Sequence, residues 1–310
     1  MTASIEDQIA RYLTTGECDL DYWAWPGDML ERCRRAKEDL RGALVREVRR
    51  AAGRRRPRAD VADLDLVAFT RSKVEPMVRG LFARAEQEAV LATLERSTVF
   101  LTPSNIEEVV RTTVWDKTAW DLANLYLVGL GARLLGDDAQ RIVGLSEETT
   151  FYVSLEYFRE TDPFADYVVH EAAHVFHNCK RRTIGLAETR RKEWLLDIDF
   201  KKRETFAYAC EAYARIVERA PRLRDRPSLA AEFARDSSTP ADDRVERAEL
   251  VDIVQDATAL RNGWKQIRAR CAPPPPPTRA AWIASLMRQP EADELVNRKA
   301  SELASGTGST

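Results

Sequence analysis

Residues 170–174 read His-Glu-Ala-Ala-His within a helical run, and they use two of the three histidines in a chain of 310 residues. This pattern constrains the fold strongly. Residues four apart on a helix lie one turn above each other, so His170 and His174 can aim their imidazoles at one tetrahedral ion. Glu171, beside the first histidine, can then reach a water at that ion, which is the arrangement zinc-assisted hydrolysis needs. Asp162-Pro163 predicts the helix start, an N-cap and a first-turn proline, and the run can extend to about Asn178. On a helical wheel Phe164, Ala165, Val168, Ala172, Val175 and Phe176 gather opposite the stripe of His170, His174 and His177, so the histidines should face away from the core. His177 stands about 10.5 Å of helix rise from His170, too far for both to hold one ion unless the helix breaks early.

The surroundings of this helix predict a mainly α fold with a small β-sheet, an α+β protein. A helical pair is expected from Ile5 to about Ala52, interrupted at Tyr22–Gly27. Further helices are expected over 74–96, 104–112 and 118–135, the second opened by a Ser104 and Glu107 capping box. Glu148–Leu155, rich in β-branched and aromatic residues, is the clearest strand. Lying just upstream of the histidine helix, it is a candidate edge strand for pairing with an extended peptide. Helices follow at 205–219, 228–235 and 244–270. The prolines Pro273–Pro277 then form a stiff spacer before a tail expected to be disordered. These shifts suggest an N-terminal helical segment (1–60), a core (61–221) and a C-terminal extension (222–310).

Composition narrows the function classes. Apolar residues make up 44% of the chain, enough for a sizeable core, and 48 basic against 50 acidic side chains argue against a generic nucleic-acid or membrane-surface protein. Cys18, Cys33, Cys179, Cys210 and Cys271 include no CxxC pair, so neither a disulfide framework nor a cysteine zinc cluster is indicated, and a cytoplasmic home is expected. The acidic N-terminal stretch does not read as a signal peptide, and Leu122–Leu135 is too short to span a bilayer. The basic block Arg49–Arg58 reads as a solvated boundary. The run of Lys180–Arg182, Arg190–Lys192 and Lys201–Arg203 could hold an acidic segment or nucleic acid, although a solvated surface is the simpler reading.

A catalytic zinc needs a third protein ligand. On the later helix Glu204, Tyr208 and Glu211 share a polar stripe opposite Phe206, Ala209 and Tyr213, and periodicity leaves Glu204 and Glu211 both open. With these residues the chain resembles the gluzincins, HExxH peptidases whose third ligand is a glutamate on a later helix. More loosely it resembles the ImmA/IrrE-type regulatory metallopeptidases, in which a glutamate precedes a Phe-Ala pair, here Phe206-Ala207. The resemblance covers about 155–215. It implies a zincin-like core, Zn2+ on His170, His174 and Glu204 with Glu211 in reserve, Glu171 as general base, and a protein or peptide substrate. Tyr208 is the leading oxyanion stabiliser, ahead of Tyr213 and Tyr157. The chain lacks the glycine that the regulatory family carries before the second histidine, and the extended metzincin pattern is absent, since His177 occupies its glycine position. The rival reading is a regulatory binding module with a structural zinc, contacting an acidic partner or nucleic acid.

Overall fold

Caps and chain breaks divide the helical stretches more finely than periodicity does. The computed structural model describes residues 3–59, 61, 63–189, 192–235 and 242–274. Ser4 opens α1 (Ile5–Thr15) with a reciprocal capping box: its hydroxyl accepts from the Asp7 N–H at 3.1 Å, and Asp7 accepts from the Ser4 N–H at 3.0 Å. Asp28 caps α2 (Met29–Ala52). The helix expected over 74–96 is two helices, α3 (Leu66–Leu81) and α4 (Arg84–Ser97), because Phe82 and Ala83 are extended. After β1 (Thr98–Leu101), the expected Ser104 box does not form. Asn105 precedes α5 (Ile106–Thr112), its side chain joining the Thr102 N–H and the Phe100 carbonyl, while the Ser104 hydroxyl turns to Thr102. The next helix, α6 (Asp116–Gly129), stops short of 135 because the chain folds back, with the Leu135 N–H donating to the Asn124 side chain at 2.8 Å.

The expected strand begins two residues late. Glu148, at φ 53°, sits in the turn joining β2 (Gly144–Glu147) to β3 (Thr150–Ser154). The histidine helix, α7 (Tyr167–Asn178), starts later than Asp162-Pro163 suggests. Asp162 closes a local turn onto the Phe164 N–H at 2.8 Å, and Asp166 is the N-cap. Then come α8 (Arg203–Arg219), α9 (Arg226–Arg235), α10 (Arg247–Thr258) and α11 (Gly263–Cys271), the last two replacing the single helix expected over 244–270. The prolines from Pro275 onward, the tail, and Arg190 and Arg191 lie outside the described residues.

The sheet order is β1-β3-β2, with β1 parallel and β2 antiparallel to β3. The strand expected at the edge, β3, is therefore central, because the hairpin places β2 outside it. Side-chain alternation divides the sheet between two cores. Phe100, Phe151 and Val153 join the cluster built by α3, α4, α7, α8, α10 and α11. Leu101 and Tyr152, on the opposite face, join the cluster built by α1, α2, α5 and α6. At Gly80 a Cβ would meet the Trp264 ring at 2.1 Å, so the glycine permits the close approach of α3 and α11. In this frame α7 packs against β2, β3, α3 and α8. Among the described residues no helix is long and apolar enough to cross a membrane.

Candidate metal centre

The HExxH spacing does on α7 what helix geometry requires: His170 Nε2 and His174 Nε2 stand 3.2 Å apart. Glu204, at the start of α8, completes the set, with its Oε2 3.8 Å from His170 Nε2 and 3.4 Å from His174 Nε2. These three are the metal-competent cluster found among the described residues. The histidine stripe lies opposite the apolar face of α7, as the wheel implies, yet all three histidines are buried because β2 and α8 cover that side.

The other ring nitrogens settle the protonation pattern. His170 Nδ1 donates to Glu211 Oε2 at 2.9 Å, and Glu211 Oε1 accepts from the Asp166 N–H at 2.7 Å. Glu211 thus lies behind His170, on the side away from Glu204. His177 Nδ1 donates to Asn178 Oδ1 at 3.1 Å, which leaves its Nε2 to accept from His174 Nδ1 at 3.1 Å. Burial and the neighbouring His174 push the His177 pKa down to about 3, consistent with a neutral acceptor ring. In the neutral rings, both Nε2 atoms therefore carry lone pairs facing each other and a carboxylate oxygen. Three acceptors converge without a donor of their own, a set that calls for a cation. Burial lowers the His170 pKa, but the Glu204 carboxylate facing Nε2 and the Glu211 carboxylate bonded at Nδ1 outweigh it and lift the value to about 10. The cluster's demand for positive charge is thus also felt by protons. For Glu204, burial is outweighed by the two imidazoles that face its carboxylate, and its pKa falls below the usual carboxylate range.

Glu171 is buried at the foot of the same groove, under the edge strand. A Cβ at Gly144 would lie 2.5 Å from Glu171 Oε1, so the glycine in β2 is what allows strand and carboxylate to approach. Burial raises the Glu171 pKa, against the opposing pull of His170, His174 and the Ser146 hydroxyl. Tyr208 lines the groove and packs edge-on against His170, with ring centroids 4.5 Å apart. The other tyrosines have structural partners: Tyr213 accepts from the Gly263 N–H at 3.1 Å, and Tyr157 donates to Asp166 at 3.2 Å.

The groove encloses about 1170 Å³, and its walls include β2, α8 and the segment before α10. Arg244 enters from that segment. It holds Glu204 Oε1 at 2.9 Å and Asp242 at 2.7 Å, which fixes the orientation of the carboxylate. Arg244, Gly144 and Ser146 also line the groove, and no local sequence pattern marks them. Arg244 lies at the start of the helix expected over 244–270, which begins only at Arg247 and leaves it in the preceding segment, and Gly144–Glu147 contains one apolar residue, too few for an alternating strand signal. No family model, curated protein or solved structure matches the chain.

Proposed function

We propose that this protein is a zinc-dependent metallopeptidase with a zincin-like core, of gluzincin type and loosely like the ImmA/IrrE-type regulatory enzymes. It acts in the cytoplasm on a narrow set of protein or peptide substrates. The observation that carries this reading is the convergence of His170 Nε2, His174 Nε2 and Glu204 Oε2 at the floor of an open groove, with Glu171 beside them. Two imidazoles and a carboxylate suit zinc. Structural zinc sites usually close with four protein ligands, whereas three converge here among the described residues and one side faces the groove, which favours catalysis over the binding-module reading.

Zinc bound there would act as a Lewis acid towards the attacking water and the scissile carbonyl. Glu171 accepts a proton from the water as the oxygen–carbon bond forms, and returns it to the amine as the carbon–nitrogen bond breaks. Its raised pKa brings it closer to the operating pH, where a general base is most effective. The free edge of β2 offers backbone donors and acceptors to an extended peptide above Glu171. Tyr208 stands beside His170 to stabilise the developing oxyanion.

The test is peptide cleavage, read by mass spectrometry on a proteome-derived peptide library, with zinc-loaded wild type against Glu171→Gln. Wild type should cut a restricted set, while Glu171→Gln keeps zinc and thermal stability but loses cleavage. Cleavage retained by Glu171→Gln would contradict the assignment, and zinc binding without cleavage by either protein would favour a structural metal.

A further inference from the structure

The basic run that follows the histidine helix has mostly found partners. Lys180 pairs with Glu193 at 2.6 Å, and Arg181 is buried against Glu86. Lys202 binds Glu249 at 2.6 Å and the Arg270 carbonyl at 3.2 Å. Arg244, which lines the groove, is neutralised by Asp242 and Glu204. Two groove cations are left without an acidic partner among the described residues: Lys201 and Arg203, on either side of Lys202 and just before the ligand Glu204. The Arg203 Nε is buried and has no hydrogen-bond partner, and its guanidinium lies over Phe200, 5.1 Å from the ring centroid. Phe200 is itself 79% exposed on the same wall. With the Nε closed off, a ligand in the groove would meet this unpaired guanidinium through its terminal nitrogens.

The acids facing this wall cannot serve. Glu204 and Asp242 are engaged by the histidines and Arg244, and Glu171 sits across the groove beneath β2. From this arrangement we infer that Lys201 and Arg203 form a subsite for a substrate carboxylate, braced by Phe200, and that the enzyme selects peptides carrying an acidic group next to the cleaved bond. The inference rests on the peptidase reading for the chemistry, but the binding preference can be measured without turnover. The carboxylate comes either from an Asp or Glu side chain or from a free C-terminus.

The experiment uses zinc-loaded Glu171→Gln protein and fluorescent octapeptides with Glu, Gln or Lys at each position in turn, each with a free or an amidated C-terminus. Anisotropy should show tighter binding of the Glu peptides by about ten-fold over Gln, and weaker binding still for Lys. Preference for Glu in amidated peptides identifies a side-chain carboxylate; preference confined to free C-termini identifies the terminus. The double variant Lys201→Gln, Arg203→Gln should lose the preference with zinc stoichiometry unchanged, and Arg203→Lys should restore part of it. In wild type the same double change should raise KM for acidic peptides and leave kcat little altered. Equal binding of Glu and Gln peptides, no peptide binding, a preference that survives the double change, or stronger binding to a single-stranded oligonucleotide would overturn the inference. Selective binding of Glu peptides by Glu171→Gln without cleavage by wild type would retain the subsite and reject the peptidase.

Discussion

Glu204 and Glu211 lie two turns apart on α8 and face opposite nitrogens of the same histidine. A polar stripe gives direction around a helix but not height along a neighbour. The choice between them depends on how α8 slides against α7, and that is decided by buried contacts such as Phe206, Ala209 and Phe176. The sequence therefore held both acids and their shared side, but not their division of labour. Glu211→Gln should keep the bond from the Asp166 N–H, but its amide nitrogen would face His170 Nδ1 and drive the ring proton onto Nε2. Zinc affinity should fall by roughly 10- to 100-fold, read by competition with a chelator, while full occupancy returns at high zinc. His177→Ala should also keep its metal, with a loss no greater than that range. Gly144→Ala adds a methyl against Glu171 Oε1; turnover should fall by about a hundred-fold with zinc content preserved, since small displacements of a reacting group are costly. An unchanged rate would show that the carboxylate has room to move.

Elements with a strong period were legible: α2, α8 and the histidine helix all lie near where apolar spacing puts them. Breaks between helices were not, even where a glycine marks them, as at Gly263, which opens α11 after α10. Phe82 and Ala83 separate α3 from α4 through tertiary packing, Phe82 turning its ring onto Phe176 at 5.0 Å between centroids. Within the apolar join between α2 and α6 lies one buried ion pair. Arg41 Nε donates to Asp116 at 2.9 Å, its other nitrogens bind the Val110 and Thr113 carbonyls, and Tyr22 donates to the same Asp116 at 2.8 Å. Arg41→Met leaves Asp116 buried without its cation and should cost about 3–5 kcal/mol of stability by urea unfolding. Zinc uptake by the folded fraction should not change, because Arg41 lies on α2, which packs on the other face of the sheet. A loss under 1 kcal/mol would mean that water replaces the guanidinium.

At the scale of the whole molecule, a small sheet separates two helical layers and presents α7 and α8 to one groove. The α+β class followed from counting periodic segments. The pairing of β1 with β3 and the association of α1 and α2 with Tyr152 did not, since they join residues distant in sequence and no local pattern announces them. The HExxH helix was legible because its chemistry needs only local spacing; the groove around it was not, because β2, Arg244 and Gly144 reach it through tertiary structure. The central claim is that His170, His174 and Glu204 together hold one zinc ion. Metal analysis of purified protein after zinc loading and buffer exchange, wild type beside His174→Ala, tests it most directly. Wild type should hold close to one zinc per chain and a folded His174→Ala protein almost none; full stoichiometry in His174→Ala would contradict this ligand set.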